Sequence, residues 1–516
     1  MTSAATLIST QDATASQRQR RLTIGLCINI VAIAFESIAV ATAMPAAARD
    51  LDGLSYYSWS FSLFLVGMLF STVLAGRLSD RIGPARPLLM GLAVFAVGLV
   101  LAGSAQHISQ LIAGRLVQGL GSGLINTAIF VCVARAYSDA QRPRMFTYIS
   151  ASWVLPAFVG PPVAAAITER WSWHWVFLSV IPVVVLGGVM ALPELRRLVL
   201  EPGGGEGESA RARPAPLWAA AVVALAAVGL QLAGQRLGWT SLTLLIVAGA
   251  GLVVGLPRLM PGCFSRLGRG LPAVIVVRGL LAGAFVGGEA FIPLMLVEEK
   301  NTPLLWAGAA LTIGSLGWMA GSWLQSRTWL RLRRDRIITV GCGSVVASLI
   351  WVAISAAPST PAWWVAGGWI LAGFGMGLAT ASTALAVTWL SRESEQGRNG
   401  SSLNLSDALG SALFVGVSGT LFAALRSGHD GPFTFRSVLL TMSAVALLAL
   451  AASFRITPLT DPTADRTAIA ADDLRLDQAR LPRPAAPERH GDAPSAPPLV
   501  VLLHPGPERH LGDGDS

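Results

Sequence analysis

The 516-residue chain is 53% hydrophobic and only 13% charged, with a mean hydropathy of +0.59; this excludes a soluble globular domain and fits a polytopic membrane protein. Its net charge of +9 is carried almost wholly by arginine, Lys300 being the only lysine. The arginines fall in alternate loops, as membrane orientation requires, which argues against nucleic acid as a partner. Cys27, Cys132, Cys263 and Cys342 stand singly with no CxxC spacing, so neither a metal site nor a disulfide framework is expected.

Residues 1–21 are polar and run straight into a full-length apolar stretch, the pattern of a cytoplasmic N-terminal segment and not of a cleaved signal peptide. Apolar runs of spanning length predict helices at about 22–45, 56–76, 87–104, 109–134, 145–167 and 174–193. Two more follow at about 216–235 and 241–260. A last group lies at about 271–297, 304–325, 336–357, 363–389, 402–425 and 435–454. The expected protein is all-α and polytopic, with fourteen transmembrane helices. They divide into a six-helix bundle (22–195), a linker with two accessory helices (196–270) and a second six-helix bundle (271–456). The tail, 457–516, is rich in Pro, Asp, Arg and Ala and reads as disordered and cytoplasmic.

Loop charges give the orientation. With the N-terminus inside, cytoplasmic segments collect Arg18, Arg20, Arg21, Arg77, Arg81, Arg86, Arg135, Arg142, Arg144, Arg196, Arg197, Arg211, Arg213, Arg258, Arg266, Arg269 and the run Arg327, Arg331, Arg333, Arg334 and Arg336. The opposite loops hold little beyond Arg49, Arg170, Arg236, Lys300 and Arg426, a bias of roughly four to one that puts both termini in the cytoplasm. One inserted helix would invert the second half; two keep both halves correctly oriented.

Three segments of the first half carry chemistry. The first predicted helix contains Glu36, followed by Thr42-Ala43-Met44-Pro45. A carboxyl at that depth exchanges a proton as its surroundings open and close, and competition between proton and cargo for one carboxylate is a sufficient basis for antiport. The loop after the second predicted helix reads Gly76-Arg77-Leu78-Ser79-Asp80-Arg81-Ile82-Gly83, then Arg86. Gly76 and Gly83 allow close helix approach and a tight turn, and Asp80 is expected beside a helix N-terminus. The fourth predicted helix reads Gly114-Arg115-Leu116-Val117-Gln118-Gly119-Leu120-Gly121-Ser122-Gly123. An Arg inside a span faces a partner or water, and Glu36 is its candidate counter-ion; the alternative is an Arg that snorkels to the interface.

The fifth predicted helix contains Gly160-Pro161-Pro162, whose prolines remove backbone donors and bend it. In the second half, Glu289 is flanked by Gly287, Gly288 and Pro293 and reads as part of a pliable pocket wall. Glu36, Gln118 and Glu289 are assigned to the substrate cavity, and Glu36, Arg115 and Glu289 to proton coupling. Asp407 is a candidate cytoplasmic gate residue, with Arg278 either paired to it or reaching the inner interface. Glu298 and Glu299 read as solvated loop charges.

Taken in order, these segments resemble signatures of the major facilitator superfamily of secondary transporters, and are similar to its fourteen-helix drug:proton antiporter branch. The resemblance implies two six-helix bundles around a central cavity. It implies that Gly76, Asp80, Arg81, Gly83 and Arg86 form a conformational latch, that Arg115 takes part in proton transfer, and that Gly160-Pro161-Pro162 belongs to the antiporter motif. The sequence departs from the pattern at Pro84 and Ala85, where basic residues are usual, at Glu36 in place of Asp, and at Pro156, Ala164 and Ala165 in place of glycines.

The expected function is proton-coupled export of hydrophobic or amphiphilic small molecules such as drugs, by alternating access. The alternatives are a dedicated lipid or siderophore-type exporter of the same fold, or a non-transporting membrane sensor. An enzyme is not expected, since no phosphate-binding loop or nucleophile–base set is present. Expected partners are the lipid bilayer, the cargo and protons, with the proton gradient in place of any cofactor and a monomer in a bacterial cytoplasmic membrane.

Overall fold

Long apolar runs without a polar face have one way to satisfy every backbone group in lipid, and that is the helix. The computed structural model describes residues 2–138, 141–200, 216–233, 239–260, 268–327, 332–392, 395–426 and 428–459, and these are helical with no strand among them. The first half holds α1 (Thr2–Asp50), a 3-10 turn at Leu54–Tyr56, α2 (Trp59–Ile82), α3 (Ala85–Gly103), α4 (Ile108–Ala136), α5 (Arg142–Arg170), α6 (His174–Leu178) and α7 (Val180–Leu200). Then come α8 (Leu217–Ala233) and α9 (Trp239–Leu259). The second half holds α10 (Leu271–Glu289), α11 (Ile292–Glu299), α12 (Leu304–Gln325), α13 (Arg334–Ser355), α14 (Ala362–Leu390), α15 (Gln396–Arg426) and α16 (Gly431–Ser453).

The halves repeat one packing plan. In the first, α4 lies between α2 and α3, while α1 packs on α5 and α7. In the second, α14 lies between α12 and α13, while α10 packs on α15 and α16. The two bundles meet along two seams, α2 against α15 and α5 against α12. Helices α8 and α9 pair with each other, and α8 also rests on both α2 and α15.

Several boundaries differ from the sequence expectation for physical reasons. Helix α1 starts at Thr2, some twenty residues before the apolar run; residues 2–21 lack Gly and Pro, so nothing stops the helix. The sixth predicted helix divides at Ser179 and the ninth at Ala290–Phe291. Pro182 and Pro293 are the cause: each lacks the N–H that would bond the carbonyl four residues earlier, at Leu178 and at Glu289. Helix α15 starts at Gln396, so Asp407 lies well inside it and not at its first turn. Helix α5 runs unbroken through Pro156, Pro161 and Pro162.

Among the described residues thirteen helices are long and apolar enough to cross a membrane, and α8 is a shorter apolar helix. Its 17 residues rise about 25 Å, near the lower limit for a span. Of the expected disordered tail, 457–516, all but 457–459 lies outside the described residues, as do 201–215, 234–238 and 261–267 of the linker.

Candidate functional site

Glu36 and Arg115 meet inside the first bundle as a buried ion pair, the carboxylate 0% and the guanidinium 2% exposed. Glu36 lies on α1, about 20 Å of helix rise from Arg49 at its end. Arg115 reaches it from α4 because the backbones of α2 and α4 touch: a Cβ on Gly119 would overlap the carbonyl oxygen of Phe64. Arg115 has three further partners. Its Nε donates to the Ser60 carbonyl at 2.9 Å. Its Nη1 donates to Glu36 Oε1 and, at 2.7 Å, to Gln118 Oε1. Its guanidinium also covers the Phe64 ring, 4.4 Å from the centroid.

The two partners are therefore unequally held. Arg115 is fixed by a carbonyl, an amide and a ring in addition to the carboxylate. Glu36 has no other donor: its Oε2 is buried and accepts no hydrogen bond among the described residues. A carboxyl is also the only one of the two that can become neutral. Gln118 is fully buried, with its amide donating to the Gly98 carbonyl at 3.4 Å. Glu36 and Gln118 therefore do not line an open cavity here, contrary to the sequence expectation; Gln118 serves Arg115 instead. Arg115 does not snorkel.

The second bundle holds a different arrangement. Arg278 on α10 pairs with Asp407 on α15 at 2.5 Å and donates to the Thr380 carbonyl of α14 at 3.1 Å. All three helices belong to one bundle, so this pair does not itself join the two bundles as a gate would. Glu289, at the Pro293 break, is half-buried, and its side chain makes no hydrogen bond or ion pair among the described residues. One turn before it, Phe285 stacks on Trp369 with centroids 4.9 Å apart and meets Trp318 edge-on at 5.6 Å. Of the three residues assigned to the cavity, Glu289 alone has accessible surface.

At the Arg-rich end, Asp80, Arg81 and Arg86 are exposed, and Asp80 makes no ion pair among the described residues. It sits in the last turn of α2, not at a helix N-terminus. Gly83 caps α2 at φ 77°, a backbone state that suits glycine. Gly76 has open space around it, with nothing within 4 Å of a Cβ, so close helix approach is not its role. Arg135, at the end of α4, donates to the Ser79 carbonyl at 3.4 Å.

The contacts between bundles gather at the opposite end. Arg49 bonds Glu298 at 2.6 Å, and Glu298 also takes Arg426 at 3.4 Å. Tyr57 donates to the Ala290 carbonyl at 2.8 Å, and the Leu305 N–H donates to Glu169 at 3.3 Å. Glu298 is thus a bridge between bundles and not a solvated loop charge. Pro161 lies on the α5/α12 seam, where it and Thr42 pack against Gly308, while Gly160 faces Phe35, Ile38 and Ala39 of α1.

The sequence model of the Major Facilitator Superfamily matches residues 26–380. The chain belongs to that superfamily. It is 27% identical over 387 residues to "Multidrug resistance protein 3" of Bacillus subtilis (strain 168), covering 70% of this chain and 72% of that protein. It is 24% identical over 445 residues to the "Methylenomycin A resistance protein" of the same organism, covering 83% and 92%. Among solved structures, a POT family transporter crystallised with 5-aminolevulinic acid superposes with a TM-score of 0.63 at 16% identity, over 85% of this chain and 97% of that one. At that identity the likeness shows the fold alone.

Within this superfamily fold, sequence reasoning missed Ser60 and Phe64 as holders of Arg115, and Glu298 as a bridge. Ser60 acts through its backbone carbonyl, which no residue type announces. Glu298 is legible only once α11 has been broken and turned by Pro293.

Proposed function

We propose that this chain is a proton-coupled exporter of hydrophobic or amphiphilic small molecules, drugs among them, working by alternating access in a bacterial cytoplasmic membrane. The observation that carries the reading is the sealed Glu36–Arg115 pair. Arg115 has neutral partners that keep it in place when Glu36 takes a proton; Glu36 has none, so a change of its charge alters how α1 is held to α4. Half-buried Glu289, beside the aromatic cluster of Phe285 and Trp318, is the group that meets cargo. The names of the similar proteins, a multidrug resistance protein and a methylenomycin A resistance protein, favour export of drug-like molecules over nutrient uptake.

The conformation supports the alternating-access part. Ion pairs and ring contacts tie the bundles at the Arg49–Glu298 end, while Asp80 at the Arg-rich end is exposed and without an ion pair among the described residues. With the Arg-rich end in the cytoplasm, this is an inward-facing state with the Asp80 latch released and both termini inside.

The test is ethidium uptake into inside-out vesicles driven by an imposed pH gradient. Wild type accumulates the dye and Glu36→Gln binds it without gradient-driven accumulation. Undiminished accumulation in Glu36→Gln removes the coupling role; accumulation driven by sodium and not by protons removes the antiport reading.

A further inference from the structure

The repeated packing of the two bundles assigns no place to the inserted pair α8–α9. Here α8 enters the outer contact. Gln231, near its end, is a primary amide in an otherwise apolar helix and only 3% exposed, a placement that is costly unless its polar atoms are satisfied. They are. Ser62 on α2 donates to Gln231 Oε1 at 2.6 Å, and Gln231 Nε2 donates to Ser58 Oγ at 3.4 Å. From the other bundle, Thr420 on α15 donates to the Gln231 carbonyl at 3.4 Å.

The shape of α15 fits this knot. Gly416 brings bare backbone to the amide, where a Cβ would lie 3.4 Å from Gln231 Oε1, and Gly419 leaves the space that the Ser58 side chain occupies. Ser58 and Ser62 are both buried, at 3% and 1% exposure. One amide thus touches a helix of each bundle at the closed end of the α2/α15 seam.

We propose that α8 is a working part of the outer gate and that Gln231 is the residue that positions it across the α2/α15 seam. The inference rests on the alternating-access reading. When the outer ends separate, Ser62 and Thr420 move apart and the amide cannot follow both. Two side-chain hydrogen bonds, at 2.6 and 3.4 Å, hold Gln231 to the start of α2 against one at 3.4 Å to α15, so α8 travels with α2. The Thr420 bond and the Gly416 contact are the ones that break. The polar knot therefore weights the balance between closed and open outer ends.

The experiment is a distance measurement between spin labels on His107→Cys and Ser359→Cys, both exposed positions, in protein whose four native cysteines are alanine, in lipid nanodiscs across a range of pH. The full chain is compared as otherwise wild type and with Gln231→Leu, Ser62→Ala or Thr420→Val. Each loss of a hydrogen bond is expected to raise the ratio of long to short outer distances about threefold. If Gln231→Leu fails to fold, the two smaller variants carry the test. A melting temperature that falls while the ratio stays fixed in every variant marks a merely structural amide and overturns the proposal. Absence of any second distance population under all conditions overturns alternating access as well, which separates the two failures.

Discussion

Removing either member of the Glu36–Arg115 pair should have unequal consequences, and the inequality follows from the geometry. In Arg115→Met, Glu36 loses its only ionic partner, but a carboxyl can take a proton and stay buried as a neutral group. In Glu36→Met, the guanidinium stays charged at 2% exposure and has only the Ser60 carbonyl, Gln118 Oε1 and the Phe64 ring to compensate it. Breaking a buried pair typically costs about 3–5 kcal/mol, and replacing both members by apolar residues is often nearly neutral. Three remaining contacts put Glu36→Met near the lower end, and the double variant Glu36→Met/Arg115→Met should recover most of that loss. The expected coupling between the two sites is about 2 kcal/mol or more. Denaturant-titrated unfolding in mixed micelles, followed by tryptophan fluorescence, measures all four proteins. A double variant that loses the sum of the two single losses refutes the reasoning, because the two groups would then act independently.

Other consequences are cheaper to check. Gly119→Val should abolish folded expression, because its side chain would enter the Phe64 backbone, whereas Gly76→Ala, with open space around it, should express and transport as wild type; size-exclusion profiles distinguish them. Pro293→Ala restores the N–H that the Glu289 carbonyl lacks, so α10 and α11 should fuse, and dye binding should weaken several-fold with little change in melting temperature. Glu298→Gln frees Arg49 and Arg426; being partly exposed, the pairs contribute about 1 kcal/mol or less, so stability should barely move. The accessibility of a cysteine at Thr42 to a membrane-impermeant thiol reagent should nonetheless rise.

The fold was largely legible in the chain, and so was part of the site. Apolar run length announces helices, and Arg115 inside a span announced a buried partner because an unpaired cation has no place there. What the chain hides is where helices stop and what backbone atoms do. The 22–45 expectation missed the helical start at Thr2 because hydropathy reports burial, not helicity. The breaks at Ser179 and Ala290 follow from Pro182 and Pro293, but an apolar run reads through them. Gln118, assigned to the cavity, is fully buried on Arg115. Asp80 sits at the C-terminal end of α2, since the turn that follows spans only Gly83 and Pro84 before α3 begins.

The central claim is that the proton and the cargo communicate through Glu36. Purified protein in weakly buffered detergent, with a pH indicator dye, reports it directly when ethidium is added. The account predicts proton release on dye binding by wild type and none by Glu36→Gln, with dye affinity retained in both. Proton release by Glu36→Gln equal to that of wild type contradicts it.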